Sequence, residues 1–172
     1  MQQKREEILA EYPELQSGNV ILYAPTFRKG KDFSDEVKDL EDVLKDSNLV
    51  IKMHPSERSQ KQYDKFSSLE FLSVADVVIT DYSSFLFEAS YAGVPVIRYV
   101  PDEEEYNEER GFLLDTRSWP FTKCHTAKET AQAIPDKKYD LVAEKVFANQ
   151  FIRTPKGNTA TEEIADFVTG LL

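Results

Sequence analysis

Apolar positions along this chain follow two rhythms. Short, nearly unbroken apolar runs occur at Asn19-Val-Ile-Leu-Tyr-Ala24, Leu49-Val-Ile-Lys-Met53, Val77-Val-Ile79 and Val94-Pro-Val-Ile-Arg-Tyr99. Runs without polar alternation suit strands of a parallel sheet that is covered on both faces. Between them the spacing lengthens. Phe33, Val37, Leu40, Val43 and Leu44 recur at the helical period and predict a helix over 33–45, with Ser34 as its cap. Residues 1–12 predict a charged helix that closes at Tyr12-Pro13, and Glu57–Phe66 a polar helix held by Tyr63 and Phe66. Leu69-Glu-Phe-Leu72 reads as a short third strand or an extended link. Phe85–Ala92 reads as an amphipathic helix stopped by Gly93. An acidic stretch, Asp102–Arg110, precedes a short edge strand at Gly111–Leu114. Helices are expected over 126–134, 137–149 and 159–171, with Pro120, Pro135 and Pro155 as punctuation. No internal repeat or low-complexity linker interrupts the pattern.

Strands that alternate with helices at this spacing imply βαβ units, hence a three-layer α/β domain with a mostly parallel sheet. Ligands in such folds bind beyond the C-terminal ends of the strands. The polar loops 25–31, 52–58, 80–84 and 99–111 all follow apolar strands and should share that rim.

Composition narrows the class. A chain of 172 residues, 41% hydrophobic with 11 Phe and 8 Tyr, has enough apolar matter for a real core. It is expected to be a single domain over 1–172, with a helical lead-in at 1–18 and a closing helix at 159–172. A net charge of −10 argues against nucleic acid or an anionic bilayer as the main partner. Cys124 is the only cysteine, which excludes a disulfide framework and a zinc cluster. No apolar run approaches the ~18 residues of a membrane helix, and the N-terminus has no signal-peptide core. These features predict a cytoplasmic protein.

The chemistry concentrates on the rim. Asp76-Val-Val-Ile-Thr-Asp-Tyr-Ser-Ser84 runs from a buried strand into a hydroxyl-rich turn just before a helix. The first N–H groups of that helix lack intrahelical partners, and its dipole favours negative charge. Ser83 and Ser84 can cap the helix, bind a phosphate, or do both. No Gly-x-Ser-x-Gly elbow surrounds them, so they read as binding rather than attacking hydroxyls. Asp81 reads as a cap or an orienter of the turn, because like charges repel. Thr26, Arg28, Lys29 and Lys31 follow the first strand and suit phosphate or carboxylate contact, with a solvated basic loop as the plain alternative. Lys52 and His54 lie two apart at a strand end, and Pro55 fixes the turn. His54 suits a ligand contact or a structural hydrogen bond. His125 reads as a surface histidine near a helix start. Glu103, Glu104, Glu105, Glu108 and Glu109 read as a solvated face rather than a metal site. Asp102, Tyr106 and Arg110-Gly111 stand out as able to turn back to the rim. Neither a GxGxxG nor a Walker pattern is present, which disfavours nicotinamide and P-loop ATP sites.

Several strings occur together and in order: Ile21-Leu-Tyr-Ala-Pro-Thr-Phe-Arg28, Lys52-Met-His-Pro55, Val78-Ile-Thr-Asp-Tyr-Ser-Ser84, and Tyr99-Val-Pro-Asp102 with Tyr106 and Arg110-Gly111. The set, with Lys156-Gly-Asn-Thr-Ala160 near the last helix, resembles the CDP-glycerol glycerophosphotransferase family of teichoic-acid primases and polymerases. The resemblance implies a Rossmann-like domain similar to the C-terminal, nucleotide-binding half of a GT-B transferase. It implies transfer of glycerol phosphate or ribitol phosphate from a CDP-linked donor to an acceptor hydroxyl, with release of CMP. It places His54 at the donor pyrophosphate in an acid or electrostatic role. Lys52, Ser83 and Ser84 join it there, helped by Thr26, Arg28 and Thr80. Asp102 and Arg110 complete the donor-binding set. It implies neither a cofactor nor a metal ion. The partners implied are the nucleotide-linked polyol and a polymer or lipid-linked acceptor, reached through an N-terminal half that this chain lacks. The family's presumed base lies in that half, so the isolated domain is expected to be inactive. Contact with the inner face of the membrane is expected only for the full-length enzyme, and homo-oligomerisation stays open. A UDP-sugar glycosyltransferase or epimerase half, with Glu88 holding the ribose, is the rival. A non-catalytic nucleotide-binding or scaffolding domain is the third reading.

Overall fold

Every residue of the strands β1 (Val20–Tyr23), β3 (Val77–Thr80) and β4 (Val96–Tyr99) is buried, as their unbroken apolar character requires. The computed structural model describes residues 1–53, 62–112, 115–152 and 159–171. With β2 (Asn48–Ile51) and β5 (Thr122–Cys124), these strands form a parallel sheet in the order β2-β1-β3-β4-β5. The order changes direction between β1 and β3, so the loops after those two strands diverge and open a crevice.

Eight helices accompany the sheet among the described residues: α1 (Gln2–Glu11), α2 (Ser34–Val43), α3 (Ser68–Phe71), α4 (Phe85–Ala92), α5 (Glu103–Glu109), α6 (Ala127–Ala133), α7 (Leu141–Ala148) and α8 (Ala160–Thr169), the last of which buries no residue. On one face Leu22, Val50, Val78 and Val96 meet Ile8, Phe71, Leu86 and Ala89. On the other, Ile21, Tyr23, Ile51 and Ile79 meet Leu40, Leu44 and Ala127. Each such aliphatic side chain, fully buried, stabilises the fold by about 1.5–3 kcal/mol. Cys124 ends β5 against Val77, Ile97 and Ala133, 4% exposed, and burial pushes its thiol pKa up.

The three-layer α/β expectation holds; several local ones do not. Leu69–Leu72, expected as strand or extended link, is the helical turn α3. Ser67 and Glu70 form a capping box there, and its two reciprocal hydrogen bonds outweigh the apolar run. Gln62–Phe66, the part of the expected 57–66 helix that is described, is turn, and Tyr63 has φ 63°, which no helix accommodates. Gly111 and Phe112 are not strand. Gly111, at φ 70°, instead ends α5, and the edge strand is the more polar β5. The helix expected from 137 begins only at Leu141, because Lys137 has φ 48° and Asp140 caps the helix through the N–H groups of Val142 and Ala143. Ser34 is the first helical residue rather than the cap, and its N–H is taken by Asp32 at 2.9 Å.

α7 contributes a charge to the core. Glu144 is fully buried and accepts a hydrogen bond from the Val96 N–H at 3.1 Å, while its Oε1 has no partner among the described residues. Burial lifts its pKa to about 7.

Candidate functional site

The turn that follows β3 is tied to the loop that follows β1 by one carboxylate. Asp81 Oδ1 accepts from the Thr26 N–H at 2.7 Å, the Thr26 hydroxyl at 2.6 Å and the Tyr82 N–H at 2.6 Å. Asp81 is therefore the orienter of the turn. Burial raises its pKa, and these donors oppose that rise only in part. Beneath it, the Thr80 hydroxyl donates to the Ala24 carbonyl at 2.6 Å, wholly buried. Thr80 thus pins the end of β1 to the end of β3. Thr80→Val should cost about 1–2 kcal/mol in urea unfolding, since it strands that carbonyl. A loss below a few tenths would show that the hydrogen bond contributes nothing net.

Arg28 reaches across the crevice and is 8% exposed. Its Nη1 donates to Asp102 at 2.6 Å, and its Nη2 lies 3.7 Å from Asp81. Its guanidinium carbon sits 5.1–5.8 Å from the ring centres of Phe33, Tyr82 and Tyr106. Such contacts with rings strengthen when water is excluded. Lys31 adds a second cation to Asp102 at 3.1 Å. Burial works against the Asp102 charge, but hydrogen bonds from Arg28 and Lys31 hold its pKa below the usual carboxylate range. Tyr82 donates to Asp102 at 3.2 Å and stacks on Tyr106 at 3.8 Å, with Phe112 at 5.5 Å from both rings. Arg28 and Lys31 of the basic loop thus form a charge-balanced clamp, while Lys29 stays exposed.

At the start of α4, Ser83 Oγ accepts from the Phe85 N–H at 3.3 Å. Ser84 is exposed, occupies the N-cap position and makes no side-chain cap bond, so its hydroxyl is available to a ligand. His125, the one histidine among the described residues, holds the Val100 carbonyl through Nδ1 at 3.1 Å. No described base stands by the serines. The arrangement can grip an anion but does not activate a nucleophile.

The structure brings Thr26, Arg28, Asp102, Ser83 and Ser84 to one rim and sets other expected residues elsewhere. Lys52 turns its ammonium to the carbonyls of Tyr63 at 2.8 Å and Phe66 at 2.7 Å, and burial lowers its pKa. Glu88 lines a groove of about 530 Å³ with Met1, Lys4 and Tyr91, and its Oε2 is buried without a partner among the described residues. Arg110 is exposed, its guanidinium carbon 6.0 Å from the Tyr106 ring centre. His54 lies outside the described residues. The aromatic seat of Arg28 on Phe33 escaped sequence reasoning, because α2 spacing assigns Phe33 to the core. Among the described residues, no group of three His, Cys, Asp or Glu is placed to hold a metal ion.

Comparison with known proteins identifies the family and the fold. The family model for CDP-Glycerol:Poly(glycerophosphate) glycerophosphotransferase matches residues 1–170. A teichoic acid ribitol-phosphate primase of Bacillus spizizenii is 29% identical over 189 residues, which cover 97% of this chain and 48% of the relative. A teichoic acid poly(ribitol-phosphate) polymerase of the same organism is 32% identical across 94% of this chain and 29% of its own length. A teichoic acid glycerol-phosphate primase of Bacillus subtilis is 26% identical across 92% of this chain and 45% of its own length. The chain therefore spans half or less of the length of these relatives. A solved structure of the wall teichoic acid polymerase TagF, a variant soaked with CDPG, superposes with a TM-score of 0.70 at 21% identity, covering 98% of this chain and 46% of that one. That likeness shows the fold.

Proposed function

This chain belongs to the CDP-glycerol:poly(glycerophosphate) glycerophosphotransferase family, and on that premise we propose that it is the donor-binding half of a polyol-phosphate transferase. The observation that carries this reading is the uncommitted Ser84 hydroxyl at the start of α4, beside the Asp81–Arg28 clamp at the sheet's switch point. There the pyrophosphate of CDP-glycerol or CDP-ribitol meets the helix N-terminus, Ser83 and Ser84. His54 and the loop of Thr26 serve the same group. Lys52, Thr80 and Arg28 act through the loops they hold. An acceptor oxygen bonds to the β-phosphorus as the P–O bond to the leaving CMP breaks, and the hydroxyl proton passes to a base outside the described residues. Oriented dipoles at the developing phosphate charge supply the acceleration.

The acceptor, a polymer or lipid-linked hydroxyl, is reached in this reading through a complementary half absent from residues 1–172. α8 supports such a contact, because Ile164, Phe167 and Val168 stand more than half exposed along it, with Leu171 just beyond its end. Among the described residues no helix is long and apolar enough to cross a membrane. We place the domain in the cytoplasm, at the inner face of the membrane only through the complete enzyme.

Calorimetric titration with CDP-glycerol, CMP and UDP-N-acetylglucosamine tests the reading, beside His54→Ala and Ser84→Ala. Cytidine ligands should bind, and each substitution should weaken CDP-glycerol about tenfold, the effect of one lost hydrogen bond to a charged group. Preference for the uridine ligand moves the site to sugar nucleotides. Absence of any nucleotide binding sinks the proposal.

A further inference from the structure

One buried charge plays no part in the donor site. Arg98, the third residue of β4, is 1% exposed. Its Nη1 donates to the Thr116 carbonyl at 3.4 Å, and its guanidinium carbon lies 4.8 Å from the Trp119 ring centre. Nε and Nη2 have no hydrogen-bond partner among the described residues. These two nitrogens form a single edge of the guanidinium, the edge that grips two oxygens side by side. A stacked, half-anchored arginine with that edge empty leaves two desolvated donors uncompensated. Burial accordingly depresses its pKa, against the pull of Glu103.

The sheet register sets Lys123 of β5 beside Arg98, on the same face. Like charges in that relation repel. Glu103, the first residue of α5, stands between them. One carboxylate oxygen lies 2.8 Å from Lys123 Nζ; the other is 3.9 Å from Arg98 Nη2, too far for a hydrogen bond. A cavity of about 590 Å³ opens at this point, lined by Glu103, Asn107, Phe112, Thr116 and Lys123 among others. Of the two other carboxylates in the lining, Asp115 is committed to the Arg117 side chain and N–H, and Glu104 is exposed to water. The empty edge of Arg98 is not itself part of the lining; it lies behind Glu103, which is, and a ligand reaches it only where that carboxylate is displaced.

We propose that this cavity is a second phosphate subsite, in which Arg98 Nε and Nη2 with Lys123 Nζ grip a phosphomonoester or phosphodiester that takes the place of the Glu103 carboxylate. Glu103 is the internal surrogate: it bridges the two cations loosely and yields to a better-fitting oxyanion. The subsite lies beyond the Tyr82–Tyr106 stack from Ser84, with Phe112 shared between stack and cavity. The inference rests on the transferase reading for its ligand, a phosphate of the polyol-phosphate acceptor.

Nuclear magnetic resonance of the ¹⁵N-labelled chain tests it. The Arg98 Nε–H resonance reads the subsite and the Ser84 amide reads the donor turn. The probes are inorganic phosphate, sn-glycerol 3-phosphate and CDP-glycerol. A saturable shift of Arg98 with glycerol phosphate is expected, tightening about tenfold in Glu103→Gln, as when one competing charge-assisted contact is removed. Glycerol phosphate binding more tightly than inorganic phosphate supports the acceptor assignment; equal affinity overturns it. An unmoved Arg98 resonance, or Glu103→Gln with unchanged affinity, overturns the subsite while a CDP-glycerol shift at Ser84 leaves the proposed function standing. If CDP-glycerol fails at Ser84 while phosphate still moves Arg98, the donor-half reading falls and the subsite survives.

Discussion

Glu144→Gln should make this protein more stable at pH 8 and leave it almost unchanged at pH 4.5. The carboxyl is fully buried on α7, with a single partner, the Val96 N–H, and its pKa rises from 4.5 to about 7. A carboxyl whose folded pKa exceeds its unfolded value favours folding while protonated. Below pH 4.5 both states hold the proton and nothing is lost. Between 4.5 and 7 the unfolded chain releases its proton and the folded chain does not, so stability falls as pH rises. Above 7 the full penalty is present, about 3 kcal/mol for a shift of this size. Glutamine keeps an oxygen for Val96 and carries no charge to desolvate. The expected gain at pH 8 is therefore about 3 kcal/mol, or roughly 10 °C in Tm for a chain of this length. Thermal unfolding of both proteins from pH 4.5 to 8.5 measures it, and two parallel Tm curves would falsify the assignment of the penalty to Glu144.

Arg28→Met should have the opposite effect and of similar size. The guanidinium neutralises Asp102 at 2.6 Å and faces Asp81 at 3.7 Å, all in little contact with water. Removing Arg28 leaves Asp102 with Lys31 as its one cation among the described residues and takes the facing cation from buried Asp81; breaking a buried pair costs up to about 3–5 kcal/mol, well beyond the ~1 kcal/mol ceiling of surface pairs. Methionine retains much of the apolar stem, so the loss isolates the charge and its contacts with Phe33, Tyr82 and Tyr106. The pH dependence gives a second check. The depressed pKa of Asp102 contributes stability above its unfolded pKa and loses it as pH falls through the folded value. Wild type and variant should therefore converge as pH falls below the usual carboxylate range and through the folded value of Asp102. Urea unfolding at pH 7 and at successively lower pH reads both effects; a cost under ~1 kcal/mol at pH 7 would reduce the clamp to an ordinary surface pair.

The sheet was legible because β1, β3 and β4 are apolar without interruption, and their loops had to share a rim once the strands were parallel. That Asp81 orients the turn followed from chemistry, since a carboxylate in a phosphate turn serves the backbone better than the ligand; its partner Thr26, 55 positions away, did not. β5 was not legible: Thr122-Lys-Cys124 has little strand character, and its place at the edge comes from tertiary pairing with β4. α3 was missed although its capping box, Ser67 and Glu70, is written in the sequence; the apolar pair Phe71-Leu72 drew the reading instead. Arg28 was read as basic, but its neutralisation by Asp102 spans 74 positions and is visible only in three dimensions. Lys52 was misdirected for the same reason, because the Tyr63 and Phe66 carbonyls that hold it belong to a turn that spacing reads as helix. Glu144 and Arg98 look in sequence like ordinary charges on a helix and a strand, and only packing shows that both are interior.

The burial of Cys124 gives this molecule an internal clock. Its single thiol is shielded at the end of the edge strand, and burial keeps it in the unreactive protonated form. A thiol-specific reagent can then react only in moments when β5 leaves the sheet. The rate of labelling therefore counts those openings, without a tag, a mutation or a bound ligand, and measures how firmly the edge beside Arg98 is held.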